Sequence, residues 1–257
     1  MKLRHIRIGA DRVFEKTDNV FFTRCYNNFE FISWYLSRSV RRLNIETKDY
    51  SLLYINIHPT EQGCKGVDEW KSLEVFIRFS EEDIRHMYSL HRLDERFEYF
   101  LSLYERGYRI AVDEGHTEIP INELLAIHQE IREDGYCNEW LWKKKLLRED
   151  DMYLFFNVNF SSFDIRMELT VMDKKKSQIK CKCMIFQCIP YLLFFWDSFR
   201  KLFVTETEII LLDFLDHPFM TIDRQKLRNG EICTMLLNEA AIDNMESWQK
   251  KIKDITW

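Results

Sequence analysis

The chain has 257 residues, with 37 Lys and Arg against 42 Asp and Glu for a formal net charge of −5, and it is 46% hydrophobic and 15% aromatic. Its 7 glycines argue against dinucleotide-binding and P-loop enzymes, whose backbone amides reach a phosphate only where several Cβ atoms are missing, and neither G-x-G-x-x-G nor G-x-x-x-x-G-K-[ST] occurs. The acidic balance argues against nucleic acid as a partner, which calls for a basic excess or stripe.

From the N-terminus, Leu3 to Ile8 reads as a short strand. Asn27 or Asn28 is the expected cap of a helix running to Leu43, with Phe29, Ile32, Leu36, Val40 and Leu43 on one apolar stripe. Tyr50 to Ile57 and Leu73 to Phe79 are rich in β-branched and aromatic residues and predict strands, with the Gly63/Gly66 segment as a loop between them. Ser80-Glu81-Glu82-Asp83 is a capping box, in which a hydroxyl and an acid three residues later satisfy end amides reciprocally. It predicts one long helix from Glu81 to Tyr104 ended by Gly107, then a second from Pro120 closed by Gly135. The polar run Lys143 to Asp151 is the expected boundary between two parts, 1–147 and 148–257, which could also be one continuous domain.

Beyond it the apolar period changes from 3.6 to 2. A hairpin around Ser161-Ser162 is predicted to oppose Val158 to Ile165 and Phe156 to Met167, and one around Lys174–Lys176 to oppose Leu169 to Cys181 and Glu168 to Lys182. Both place one apolar set on one face, as a half-buried meander requires. Strands are expected at Tyr191 to Trp196 and Lys201 to Val204, and a second capping box at Thr205 predicts a helix from Glu206 to Leu215. Asn229-Gly230 fits either a hairpin turn or a helix cap, and a helix is expected from Asn238 to about Asp254. The fold class is therefore α+β: a helix-rich N-terminal part with a small sheet, then an antiparallel β-meander with flanking helices.

No G-x-S-x-G elbow and no H-E-x-x-H occurs. Cys181 and Cys183 alternate along a strand and read as small core residues, so no metal and no cofactor is expected. Seven Cys, with no framework spacing in a chain able to build its own core, suggest reduced thiols and a cytoplasmic setting. The most apolar window, Met184 to Trp196, is too short to span a bilayer, so no membrane partner is expected.

These features fit a non-enzymatic, soluble protein-binding module. Its profile is that of small acidic immunity or inhibitor proteins, which neutralise a toxic enzyme by covering its active site, although no motif here matches one of those families. The expected contact surface is acidic and meets a basic partner protein: Glu61, Asp68 and Glu69 in one loop, Glu81 and Glu82 at a helix start, and Asp113, Glu114 and His116 in a turn. Trp140 and Trp142, followed by three lysines, have the composition of an interface anchor. Two alternatives are a hydrolase or nuclease using Asp113, Glu114 and His116 as dispersed acid–base groups, and a sensor holding a small apolar ligand among Phe-rich strands.

Overall fold

The computed structural model describes residues 1–161, 164–188, 190, 195 and 198–237, with the side chains of 19, 23, 24 and 26–28 left aside. The expected strand at Tyr191 to Trp196 and the helix from Asn238 fall largely or wholly outside the described residues. The fold is α+β, and the chain divides into two compact units, Met1–Tyr136 and one beginning at Cys137. Among the described residues no helix is long and apolar enough to cross a membrane.

The first unit is built on a four-stranded sheet ordered β1-β2-β4-β3, where β1 is His5–Ala10, β2 Leu52–His58, β3 Gly63–Val67 and β4 Ser72–Arg78. β1, β2 and β4 run parallel, and β3 returns antiparallel on β4. The first strand lies two residues later than expected. Helix α1 (Arg12–Thr17) is capped by Asp11, whose second carboxylate oxygen accepts from Asn56 at 3.1 Å. Helix α2 (Asn19–Leu43) starts well before Asn27 and Asn28, because Asp18 accepts the Phe21 amide and supplies the N-cap. Phe29, Ile32, Leu36 and Val40 are buried as expected, while Leu43 at the frayed end is exposed.

α2 also carries Ser33 and Ser37, one helical turn apart and both buried. Their hydroxyls accept the Ile8 and Ile6 amides at 3.3 and 3.1 Å, and Ser37 donates back to the Ile6 carbonyl. Side chains of the strand's own crossover helix thereby take two amides and one carbonyl of β1.

The predicted long helix is two helices, α3 (Glu81–Ser89) and α4 (Leu93–Asp113). The Ser80 capping box is present with both of its hydrogen bonds. The break between the helices leaves the Leu90 and His91 carbonyls without helical partners, and the Arg96 guanidinium donates to both, at 2.7 and 3.0 Å. Gly107 does not end a helix; it lies inside α4, where the backbone comes close to Ile55. Pro120 stands at the N-cap position before α5 (Ile121–Glu133), and Gly135 follows that helix with φ +62°. Phe14, Phe21, Phe29, Phe79 and Phe100 are almost fully buried between helices and sheet. Each such ring contributes roughly 1.5–3 kcal/mol on burial.

The second unit holds the meander β5 (Asn138–Leu147), β6 (Met152–Phe160), β7 (Ile165–Asp173) and β8 (Gln178–Cys188), paired consecutively and antiparallel. The polar run at Lys143 thus begins inside a strand. Leu154, Phe156, Val158, Ile165, Met167 and Leu169 all face the core, so the predicted parity holds. The register is two residues away from expectation: Val158 opposes Met167 and Phe156 opposes Leu169, because the connection up to Asp164 is longer than a two-residue turn. The turn pairing of Asp173 with Gln178 and a bulge at Val171/Met172 shift β8 likewise, bringing Leu169 opposite Cys183, and a second bulge at Met167/Glu168 shifts the rest of β8 further. Glu168 and Lys182 still meet as a diagonal ion pair at 2.9 Å. Cys181 is half-buried and Cys183 exposed, not core, since the first half of β8 is an uncovered edge.

A second sheet, ordered β12-β11-β10-β9, combines β9 (Lys201–Val204), β10 (Glu208–Leu212), β11 (Pro218–Asp223) and β12 (Thr234–Leu236). The helix predicted from Glu206 to Leu215 is strand β10. Thr205 does accept the amides of Thr207 and Glu208, but this closes a tight hairpin turn between β9 and β10. Asn229-Gly230 follows a short helix, α6 (Arg224–Arg228), as its cap. Within α6, Arg224 is buried and bonded to Asp150 at 2.6 Å, with Glu149 and Arg228 completing the cluster.

Candidate protein-binding site

The turn from β3 to β4 is Asp68-Glu69-Trp70-Lys71. One Asp68 carboxylate oxygen accepts the amides of Trp70 and Ser72, at 2.9 and 2.8 Å. The Asp68 backbone donates to the Ser72 carbonyl and accepts from Lys71, which adopts φ +60°. On the other side, the Lys71 carbonyl accepts from Ser51 at 2.8 Å and Leu52 at 3.2 Å, tying the tip to the start of β2. Aspartate suits this turn because its short side chain bonds the backbone two residues on. The result is a tip whose backbone is held from both flanks.

On that tip Trp70 is 79% exposed. A tryptophan buried in a core or contact removes a large apolar surface from water; one left in solvent on an ordered turn contributes none of that energy to folding. Glu69 and Lys71, both exposed, flank it. Sequence reasoning singled out Asp68 and Glu69 for their charge and passed over Trp70, whose exposure only the tertiary structure reveals.

The other expected contact residues are distributed over both units. Glu61 is exposed, pairs with Lys65 at 3.0 Å and donates its amide to His58 Nδ1. Glu81 and Glu82 are exposed in the first turn of α3, where they complement the helix dipole. Asp113 is exposed at the end of α4. Glu114 instead holds β3, accepting the Cys64 amide at 2.8 Å, and a Cβ on Gly63 would come within 2.5 Å of its carboxylate. The Gly63 to Gly66 segment, expected as a loop, can therefore run as a strand because glycine tolerates φ of +119° and +90° at its two ends. Cys64 there has its thiol pushed up to about 11, by burial first and then by the Glu114 carboxylate.

His116 turns away from Asp113 and Glu114 toward Glu118, with Nδ1 at 3.6 Å from the carboxylate, and its ring meets Tyr50 edge-on. Trp140 and Trp142 are half-buried on β5 in the second unit, Trp142 edge-on to Phe156 and Phe199. Among the described residues no group of three or more His, Cys, Asp or Glu is arranged to hold a metal ion. The chain matches no protein-family model, and no curated protein or solved structure is significantly similar to it.

Proposed function

We propose that the chain is a protein-binding module of the immunity or inhibitor kind, which inserts Trp70 as an anchor into a partner protein. The observation that carries this reading is the 79% exposure of Trp70 on a turn whose backbone is fixed by Asp68. A pre-ordered tip loses little conformational entropy on docking, so burial of the indole goes directly into affinity. Tryptophan leads the residues that dominate interface energetics. At the tip Glu69 is balanced by Lys71, so the indole is the anchor there; the basic character expected of the partner rests on the exposed Glu81 and Glu82, which follow the far end of β4.

The test is a quantitative capture from the native extract with wild-type chain and with Trp70→Ala as baits, followed by purification of the captured protein. A single protein retained in stoichiometric amount by wild type and weakened at least tenfold by Trp70→Ala is the expected result. If that protein is an enzyme, equimolar wild type should suppress its activity and the variant should not. Equal retention by both baits would rule out Trp70 as the anchor.

A further inference from the structure

Two lysine runs far apart in sequence converge at one end of the β5–β8 sheet. Met152 opposes Asp173, and the Lys174 amide donates to the Asp151 carbonyl, so the β5–β6 and β7–β8 turns lie side by side. Of Lys143–Lys145 on the β5 edge, Lys144 shares the outward row with Phe155 while Lys143 and Lys145 oppose the core residues Phe156 and Leu154; Lys174–Lys176 stand on the turn. Lys175 is paired with Asp151 and Lys182 with Glu168, whereas Lys174, Lys176 and Lys180 are exposed and enter no ion pair among the described residues. The whole-chain charge of −5 averages over this segregation.

The outward face beside these lysines is not an ordinary polar one. One row of the register reads Lys144, Phe155, Thr170, Lys182, and the next contains Tyr153 between Leu146 and Met172. The Tyr153 and Phe155 rings stand side by side, centroids 6.1 Å apart and tilted by 43°, and the Lys144 ammonium lies over both at 4.7 and 5.1 Å, so a flat ring stacking there would displace it toward an anionic neighbour. The rows on the other side open into a depression of about 640 Å³ whose lining includes Asn157, Asn159, Arg166 and Glu168. Arg166 is paired there with Asp164, Glu168 with Lys182, and Asn159 donates to Glu139, so a ligand edge would exchange hydrogen bonds with these groups and find Asn157 beside them.

We propose that this outward face binds single-stranded nucleic acid, with bases stacked on Tyr153 and Phe155, base edges toward the depression, and phosphates along the lysine rim. Paired rings on an open antiparallel sheet suit unstacked bases, which have free π-faces; a duplex hides its own. An acidic polypeptide would answer the lysines but would meet the Glu139 and Glu168 carboxylates in the hollow, and its acidic side chains make no use of two adjacent rings. This surface lies in the second unit and does not rest on the Trp70 reading.

The experiment is fluorescence anisotropy of the full chain with a fluorescein-labelled uridine dodecamer from 50 to 200 mM salt, with polyglutamate of equal charge as competitor. About three neutralised phosphates would give a slope of log K against log salt near −2. Phe155→Ala should weaken binding by roughly 5- to 100-fold, the range of one stacked base, and Phe155→Tyr should restore it. Lys144→Glu should weaken binding as well, and Lys180→Ala should make the salt slope shallower by about 0.7; both positions are exposed, so they carry the test if Phe155→Ala unfolds. Trp70→Ala should bind the dodecamer as wild type does. No binding at 50 mM salt overturns the proposal. So does equal displacement by polyglutamate, which would assign the face to an acidic protein, and so does a folded Phe155→Ala that binds unchanged.

Discussion

Gly107 of helix α4 sits so close to Ile55 of strand β2 that a Cβ placed on it would lie 2.6 Å from Ile55 Cδ1, 2.7 Å from Cγ1 and 3.0 Å from Cγ2. Three atoms of a fully buried, β-branched side chain cannot all withdraw. Alanine would gain about 1 kcal/mol of helix propensity over glycine. Overpacking of a tight core typically costs about 1–3 kcal/mol and is the larger effect here. Gly107→Ala should therefore lower stability in urea unfolding, and adding Ile55→Ala should give a double variant less destabilised than the sum of the two single changes.

Arg224 and Asp150 form an ion pair whose side chains are 5% and 3% exposed. Burial alone would raise the Asp150 carboxyl, but hydrogen bonds from Arg224 and Arg228 outweigh it and hold the group below its usual range. A depressed folded value means stability that is complete above the ordinary aspartate pKa of about 3.9 and is lost as pH falls through the folded value. Arg224→Met should cost about 3–5 kcal/mol at neutral pH by leaving the carboxylate buried and underpaired. Its stability should also fall less steeply than that of wild type below about pH 4. Urea titrations at neutral and acid pH check both statements.

His128, buried in α5 and 3.3 Å from the Tyr108 hydroxyl, has its pKa lowered to about 4 by burial first and by Arg132 second. The unfolded chain takes up this proton near pH 6.5, so stability is full above that value and declines as pH falls toward 4. The slope for one such group approaches about 1.4 kcal/mol per pH unit within the window. His5, also lowered to about 4, adds to the same decline. Stability of His128→Gln should be flatter than wild type between pH 6.5 and 4, whatever its absolute value; parallel curves would refute the assignment.

Thiol reactivity should follow exposure and thiolate availability. Cys183 and Cys233 are exposed, Cys25 and Cys188 are buried with their thiols pushed up by burial, and Cys64 is held at about 11. Brief alkylation with iodoacetamide near pH 8, read by peptide mass spectrometry, should label Cys183 and Cys233 well before the other three.

Features set by neighbours in the chain could be read from the residues alone. The Ser80 capping box needs only four consecutive residues, and the alternation from Leu154 to Leu169 fixes which face is buried even when the pairing slides by two, because a slip of two preserves parity. Features decided by distant contacts could not. Thr205 presents the same local hydrogen bonds whether a helix or a hairpin follows, and only the pairing of Ile209 with Ile222 and Val204 selects the strand. Gly107 resembles a helix stop until Ile55 is placed beside it. Asp68 and Glu69 are legible as charges, but the service of Asp68 to Trp70 depends on a turn anchored at Ser51 and Leu52.

The serine closure of β1 has a consequence for self-association. An exposed edge strand offers free amides and carbonyls to any other extended chain, the usual route to fibrils and unintended sheet extension. With the Ile6 and Ile8 amides and the Ile6 carbonyl already bonded to Ser37 and Ser33, much of that edge is withdrawn from a second copy. Losing both hydroxyls, as in Ser33→Ala with Ser37→Ala, would remove their bonds to the Ile6 and Ile8 amides, to the Ile6 carbonyl and to the Tyr104 hydroxyl. Helix α2 would still cover the strand, so the two amides would stay buried but unpaired, at about 1–3 kcal/mol each, and transient opening of that seam would become the route by which one copy finds another.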